Sequence, residues 1–150
     1  MNFLLDTNVL IYLSKDFHSN LLANMVPPDE DSLYVSIVTL AELRSIAFKN
    51  SWGNKKWTTI EKFLNRSVLI EINENLLDTY VQIDSYSQLR NPSYKTYPFN
   101  TPRNMGKNDL WIAATAALLN LTLITTDKDF DHLDNVFLNV KRFIPGELKN

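Results

Sequence analysis

Four acidic residues stand where their side chains could do chemistry together: Asp6, Glu42, Asp109 and Asp127. Asp6 closes the apolar run Phe3-Leu4-Leu5, and Asp127 follows a second run over 121–125. Glu42 falls in the first turns of a helical stretch, and Asp109 opens another. Four carboxylates drawn within a few ångströms repel one another, which raises some of their pKa values. A divalent cation resolves that repulsion. Oxygen ligands, with no Cys and no suitably spaced His, favour Mg²⁺ or Mn²⁺. One ion can polarise a phosphodiester and activate a bound water, and a second can stabilise the leaving oxygen.

Each acid also has a plainer reading. Asp between a strand and a helix is a common N-cap, which would serve Asp6 and Asp127. Asp109 at a helix start suits the macrodipole. Glu42 is harder to explain that way. It lies beside Leu40 and Leu43 on a half-apolar helix, and an acid there needs a partner. Arg44 is a poor one, because residues two apart on a helix do not face each other. Spacing alone leaves a carboxylate cluster and four independent caps both open.

The elements that must position these acids alternate along the chain. Apolar or β-branched runs at 3–5, 33–37, 68–70, 121–125 and 136–140 read as strands. Helical spacing appears from Thr7 and Asn8 through Leu13, and over 17–25, where Val26-Pro27-Pro28-Asp29 ends it. It recurs over 38–49 (Leu40, Leu43, Ile46 and Ala47 inward) and 55–65 (Trp57, Ile60, Phe63 and Leu64 inward). It returns over 75–89, with Leu76, Leu77, Tyr80, Val81 and Ile83 inward, and over 109–119, with Asn108 as cap. A short helix is expected near 129–133, and a polar tail after Pro145. Strands separated by helices imply parallel β-α-β units and a sheet covered on both faces. The expected architecture is a three-layer α/β/α sandwich with a central parallel sheet of about five strands. Sites in such sheets lie beyond the carboxyl ends of the strands, where Asp6 and Asp127 fall.

Bulk properties set limits. A chain of 150 residues fits one domain, 1–150, with no repeat or Gly/Ser linker. Such a chain buries roughly 70% of its unfolded surface and needs no staple. It has no Cys, hence no disulfide or thiolate zinc site. No apolar run reaches membrane-span length, and the start of the chain lacks the features of a signal peptide. A cytoplasmic protein with no membrane partner is expected. The net charge of −2 is low for a nucleic-acid binder. Bound cations would invert the local sign, so net charge decides little. No dinucleotide fingerprint, P-loop or nucleophile elbow occurs. His18 and His132, the only histidines, are in no ligand pattern and are expected at the surface. Trp52 and Trp57, flanking Lys55 and Lys56, are expected to anchor helices or form a dimer contact, with RNA contact as the alternative.

At the four acids the sequence resembles PIN domains, particularly the VapC-type toxins. The matching stretches are Leu4-Leu5-Asp6-Thr7-Asn8-Val9-Leu10, Thr39-Leu40-Ala41-Glu42-Leu43, Lys107-Asn108-Asp109-Leu110-Trp111-Ile112-Ala113-Ala114-Thr115-Ala116 and Leu123-Ile124-Thr125-Thr126-Asp127-Lys128-Asp129-Phe130. They occur in the family's order, over nearly the whole chain. The resemblance implies a PIN fold and a ribonuclease using one or two Mg²⁺ or Mn²⁺ ions. It implies that Asp6, Glu42, Asp109 and Asp127 are the acidic quartet, with Asp129 accessory. Thr7, Asn8 and Thr125 match small polar positions that orient the acids. It further implies a homodimer, an RNA substrate such as tRNA or another structured RNA, and a small antitoxin protein.

The segment 90–106 reads as a long loop, longer than in the shortest VapC toxins, and long loops are often functional. Lys95, Arg103 and Lys107 could contact phosphates there. Tyr94 and Tyr97 could stack on unpaired bases, while Phe99 is expected to pack on the body. Two rival functions stay open. One is an RNA-binding module without turnover. The other is a HAD-like phosphatase with Asp6 as nucleophile, a class that wants a second Asp where this chain has Asn8.

Overall fold

The computed structural model describes residues 1–15 and 32–144. The helix expected over 17–25 with its proline stop, His18, and the tail after Pro145 lie outside them. The described elements are β1 (Asn2–Leu5), α1 (Thr7–Leu13), β2 (Ser32–Ser36), α2 (Ile37–Lys49), α3 (Asn54–Arg66), β3 (Ser67–Ile70), α4 (Leu77–Ser87), α5 (Lys107–Leu119), β4 (Thr122–Thr125) and β5 (Asn139–Arg142). A 3₁₀ turn, Glu74–Leu76, leads into α4, and a longer one, Lys128–Leu133, follows β4. Among the described residues no helix is long and apolar enough to cross a membrane.

The five strands form one sheet in the order β3-β2-β1-β4-β5. Every pairing is parallel. The chain builds outward from β1 to β3, then returns to the other side of β1 for β4 and β5. The order therefore reverses between β1 and β4, with Leu5 opposite Ile124. At such a switch point the connections diverge to opposite faces, which opens a crevice at the carboxyl ends.

Period-two alternation divides the apolar residues between two cores. Phe3, Leu5, Leu33, Val35 and Ile124 pack on one face with α1 and α3. Leu4, Leu123 and the partly buried Tyr34 pack on the other with α4, α5 and the Lys128–Leu133 turn. The helix α5 is apolar nearly all round, and Leu110, Ile112, Ala113, Ala114 and Ala116 are all buried. It ends at Asn120 in the left-handed conformation, φ 53°, which Asn tolerates better than most residues.

Several sequence expectations shift. The fifth strand begins at Asn139, not 136. Asn135, at φ 61°, turns the chain back, and its N–H donates to the Leu138 carbonyl at 2.9 Å. The apolar run therefore feeds Phe137 and Leu138 to the second core. The stretch 75–89 splits into a 3₁₀ turn and α4, and Leu77 and Val81, expected inward, are exposed. Leu76 and Ile83 are buried as expected, and Tyr86 joins them. The segment 90–106 is irregular, as expected, and Phe99 is buried within it. Trp52 and Trp57 meet edge to face at 6.1 Å and pack against the first core.

The two cores give a stability test. Leu4 is fully buried at the sheet centre. Leu4→Ala is expected to cost about 2–5 kcal/mol in urea unfolding. Val81→Ala, on an exposed face, should change stability by less than about 0.5 kcal/mol.

Candidate metal centre

Asp6 follows the last residue of β1, and its backbone N–H donates to the Ile124 carbonyl at 3.0 Å. It caps α1. One carboxylate oxygen accepts the Thr7 N–H at 2.7 Å. The other accepts the Thr125 hydroxyl at 2.7 Å. The Thr125 hydroxyl in turn accepts the Asp127 N–H at 3.0 Å. That amide fixes the direction of the Thr125 proton toward Asp6. The ends of β1 and β4 are thus tied through one threonine.

Asp127 caps the Lys128–Leu133 turn, accepting the Asp129 N–H at 2.9 Å. Asp109 enters from the first turn of α5. That helix begins at Lys107, with Gly106 at its cap position. Asn108, expected as the cap, is instead within the helix, and its side chain hydrogen-bonds Glu42. Thr7 hydrogen-bonds the same carboxylate, and the Thr7 and Thr39 hydroxyls are 3.4 Å apart. These are the partners that Glu42 needed beside an apolar face. Asn108 and Thr39 both lie inside the motifs but carry no charge, so spacing alone did not single them out.

The acids converge. Asp109, Asp127 and Asp129 can each present a carboxylate oxygen within 4.8 Å of the others. Glu42 senses the charge of Asp6, and Asp109 senses both. Burial, then the neighbouring carboxylates, pushes Asp109 up to about 7. Burial raises Asp6, against the hydrogen bonds from Thr125 and Thr7. Burial and the charge of Asp6 raise Glu42. Among the described residues, none of these acids forms an ion pair with Lys or Arg. A donor set of oxygens only, self-repelling and without an internal cation, fits a hard divalent ion.

The remaining expected residues are distributed around this centre. Asn8 is exposed on α1, and Lys107 is exposed at the start of α5. Lys95 and Arg103 are exposed on the long loop. Tyr94 and Tyr97 have partners inside the protein: both rings pack on Tyr86, and the Tyr97 hydroxyl bonds the Asn91 backbone. His132, expected at the surface, is half-buried. Its Nε2 lies 2.8 Å from the Ser87 hydroxyl, and its ring stacks on Tyr86. Burial pushes it down to about 4. The three-residue spacing from Asp129 along one turn was the available signal. Among the described residues, a cleft of about 870 Å³ lies between α2 and α3 and holds none of the clustered acids. Another, of about 670 Å³, includes Asp129.

The raised carboxylates predict a pH effect in metal-free protein. The folded state holds a proton on Asp109 between the ordinary 3.8 and about 7, whereas the unfolded state releases it. Stability from this group therefore falls as pH rises through that window. Asp109→Asn should raise the melting temperature in chelator at pH 8 and leave it little changed near pH 4. An equal gain at both pH values would refute the raised Asp109 carboxyl.

The PIN domain family matches residues 3–136. The chain is similar to Ribonuclease VapC1 of Haemophilus influenzae (strain R2866), at 32% identity over 139 residues, covering 91% of this chain and 95% of that protein. Its fold is similar to VapBC-1 from nontypeable Haemophilus influenzae, with TM-score 0.63 and 29% identity over 95% of this chain and 98% of that one. It is also similar in fold to VapBC2 from Rickettsia felis bound to a DNA fragment from their promoter. There the TM-score is 0.72, with 22% identity over 95% of this chain and 99% of that one.

Proposed function

Because this chain belongs to the PIN domain family, we propose that it is a divalent-metal-dependent endoribonuclease, the toxin of a toxin–antitoxin pair. The observation that carries this reading is the convergence of Asp6, Glu42, Asp109, Asp127 and Asp129 at the sheet switch point. The relative named Ribonuclease VapC1 supports the RNA substrate. The neighbours named VapBC, a family of toxin–antitoxin systems, support a small antitoxin partner. In this reading the protein works in the cytoplasm as a homodimer on a structured RNA such as tRNA.

Asp6, Glu42, Asp109 and Asp127 would hold one or two Mg²⁺ or Mn²⁺ ions, with Asp129 accessory. When bound, the cation supplies polarisation of the phosphodiester and a water activated for attack. The chain's own residues do the rest. Asp6 is held by Thr7 and Thr125 with lone pairs left over for a ligand. Glu42 is aimed by Asn108 and Thr7. Asp109, its carboxyl pushed up to about 7, would have to be deprotonated to serve as a ligand. Asn8 stands beside the site at the start of α1. No residue here forms a covalent intermediate in this reading.

Cleavage of a panel of structured RNAs, with and without Mg²⁺ or Mn²⁺, tests it. Cleavage should require the ion and stop in chelator. Asp6→Asn should abolish it while the protein stays folded; wild-type turnover by that variant would end the assignment. Thr125 is a positioning residue. Thr125→Val should lower metal affinity or activity about 10–100-fold, and Thr125→Ser should restore most of it.

A further inference from the structure

The cleft beside Asp129 lies between the 98–105 part of the long loop and the Lys128–Leu133 turn. Its volume, about 670 Å³, falls in the roughly 300–1,000 Å³ range of ligand sites. Asp129 belongs to both the cleft and the acidic centre, so the two adjoin at that residue. A polymer bound at the carboxylates extends past Asp129 along this cleft or away from it.

The charges in the cleft are sorted. Asp131 is neutralised by Arg142 at 2.9 Å. Asp134 accepts the Val140 N–H at 2.8 Å. Arg103 and Lys128 also line the cleft, and among the described residues neither forms an ion pair. Asn104 lies beside them, and its side-chain Oδ1 accepts from the Gln88 Nε2 at 3.2 Å. That leaves the Asn104 amino group as a donor facing outward from the bond.

The walls are anchored to the core although the loop is irregular. The Arg103 backbone N–H donates to the Ser87 carbonyl at 2.7 Å. The Arg103 guanidinium lies 5.4 Å from the ring centre of Phe99. Phe99 is buried and packs edge to face on Tyr86 and His132, each at 5.5 Å. His132 is pinned by Ser87 from α4. The base of the arginine is thus fixed by the core while its head is exposed. An arginine already held in place, with no carboxylate to satisfy it, is suited to a phosphate.

We propose that this cleft is the subsite for the RNA segment next to the scissile phosphate, with Arg103 and Lys128 holding a neighbouring phosphate and Asn104 donating to the adjacent nucleotide. The proposal rests on the nuclease reading above for the identity of the polymer. Its contacts are mainly to the backbone, so they position RNA of many sequences.

Binding and cleavage separate the two ideas. The probe is a short fluorescein-labelled single-stranded RNA of mixed sequence, titrated by anisotropy with Mg²⁺ present into the Asp6→Asn protein. Adding Arg103→Gln should weaken binding about tenfold, as for loss of one charged hydrogen bond. The slope of log affinity against log salt should fall by about 0.7, the value for one single-strand phosphate contact. Lys128→Gln should act in the same direction, Arg103→Lys should recover most of the affinity, and Lys62→Gln, on the outer face of α3, should change nothing. Melting temperatures confirm that the variants are folded. Affinity and slope unchanged in both Arg103→Gln and Lys128→Gln, or no RNA binding by the Asp6→Asn protein, overturns the subsite. Wild-type protein that binds RNA through Arg103 but cuts none with any divalent ion overturns the nuclease reading instead.

Discussion

Burial of carboxylates gathered in one crevice, compounded by their mutual repulsion, is the constraint on which the rest of this structure depends. Asp6 is nearly fully buried, and Asp109 is pushed up to about 7. An arrangement this costly survives only if the scaffold leaves the acids no room to part. The parallel sheet does so. Asp6 and Asp127 leave adjacent strands, β1 and β4, whose register is locked by backbone hydrogen bonds on both sides. Two cores, one on each face, prevent those strands from sliding, because a one-residue slip would move Leu4 and Leu5 to the wrong faces.

Neutral donors then adjust each acid without cancelling its charge. Threonine hydroxyls and backbone N–H groups stabilise a carboxylate but leave it negative. An arginine in the same place would neutralise it and compete with a cation. The tie from the Asp127 amide through Thr125 to Asp6 shows the economy of this design. One hydroxyl orients one acid, and the amide that orients the hydroxyl belongs to the residue carrying the next.

Much of this was legible in the sequence, for a physical reason. Strands buried on both faces are continuous apolar runs, so β1 and β4 and the acids that follow them could be read directly. Parallel order followed from the intervening helices. Glu42 stood out because an acid beside Leu43 demanded partners. Their identity was not legible, since Asn108 and Thr39 are close to Glu42 or Thr7 only after α2, α1 and α5 pack. Asp129 was read as accessory and sits within the tightest group of acids. The run at 136–140 misled, because apolar residues that feed a core through a turn look the same as a strand. His132 was misplaced for a related reason: Ser87 and Tyr86, which bury it, come from a helix 45 residues away in sequence.

The long loop follows the same logic as the acids. Irregular chain near an acidic crevice would be expected to drift, since it has no ladder of its own to hold it. Here Phe99, His132 and Ser87 fasten it to the helix and turn that already carry the second core. The acidic turn and the loop therefore share one set of anchors. Anything that shifts the Lys128–Leu133 turn moves Asp129 and the Arg103 side of the cleft together. Under the proposed function, cation binding at the carboxylates and polymer binding along the cleft would in this way be mechanically joined. The join runs through packed aromatic rings and not through charge.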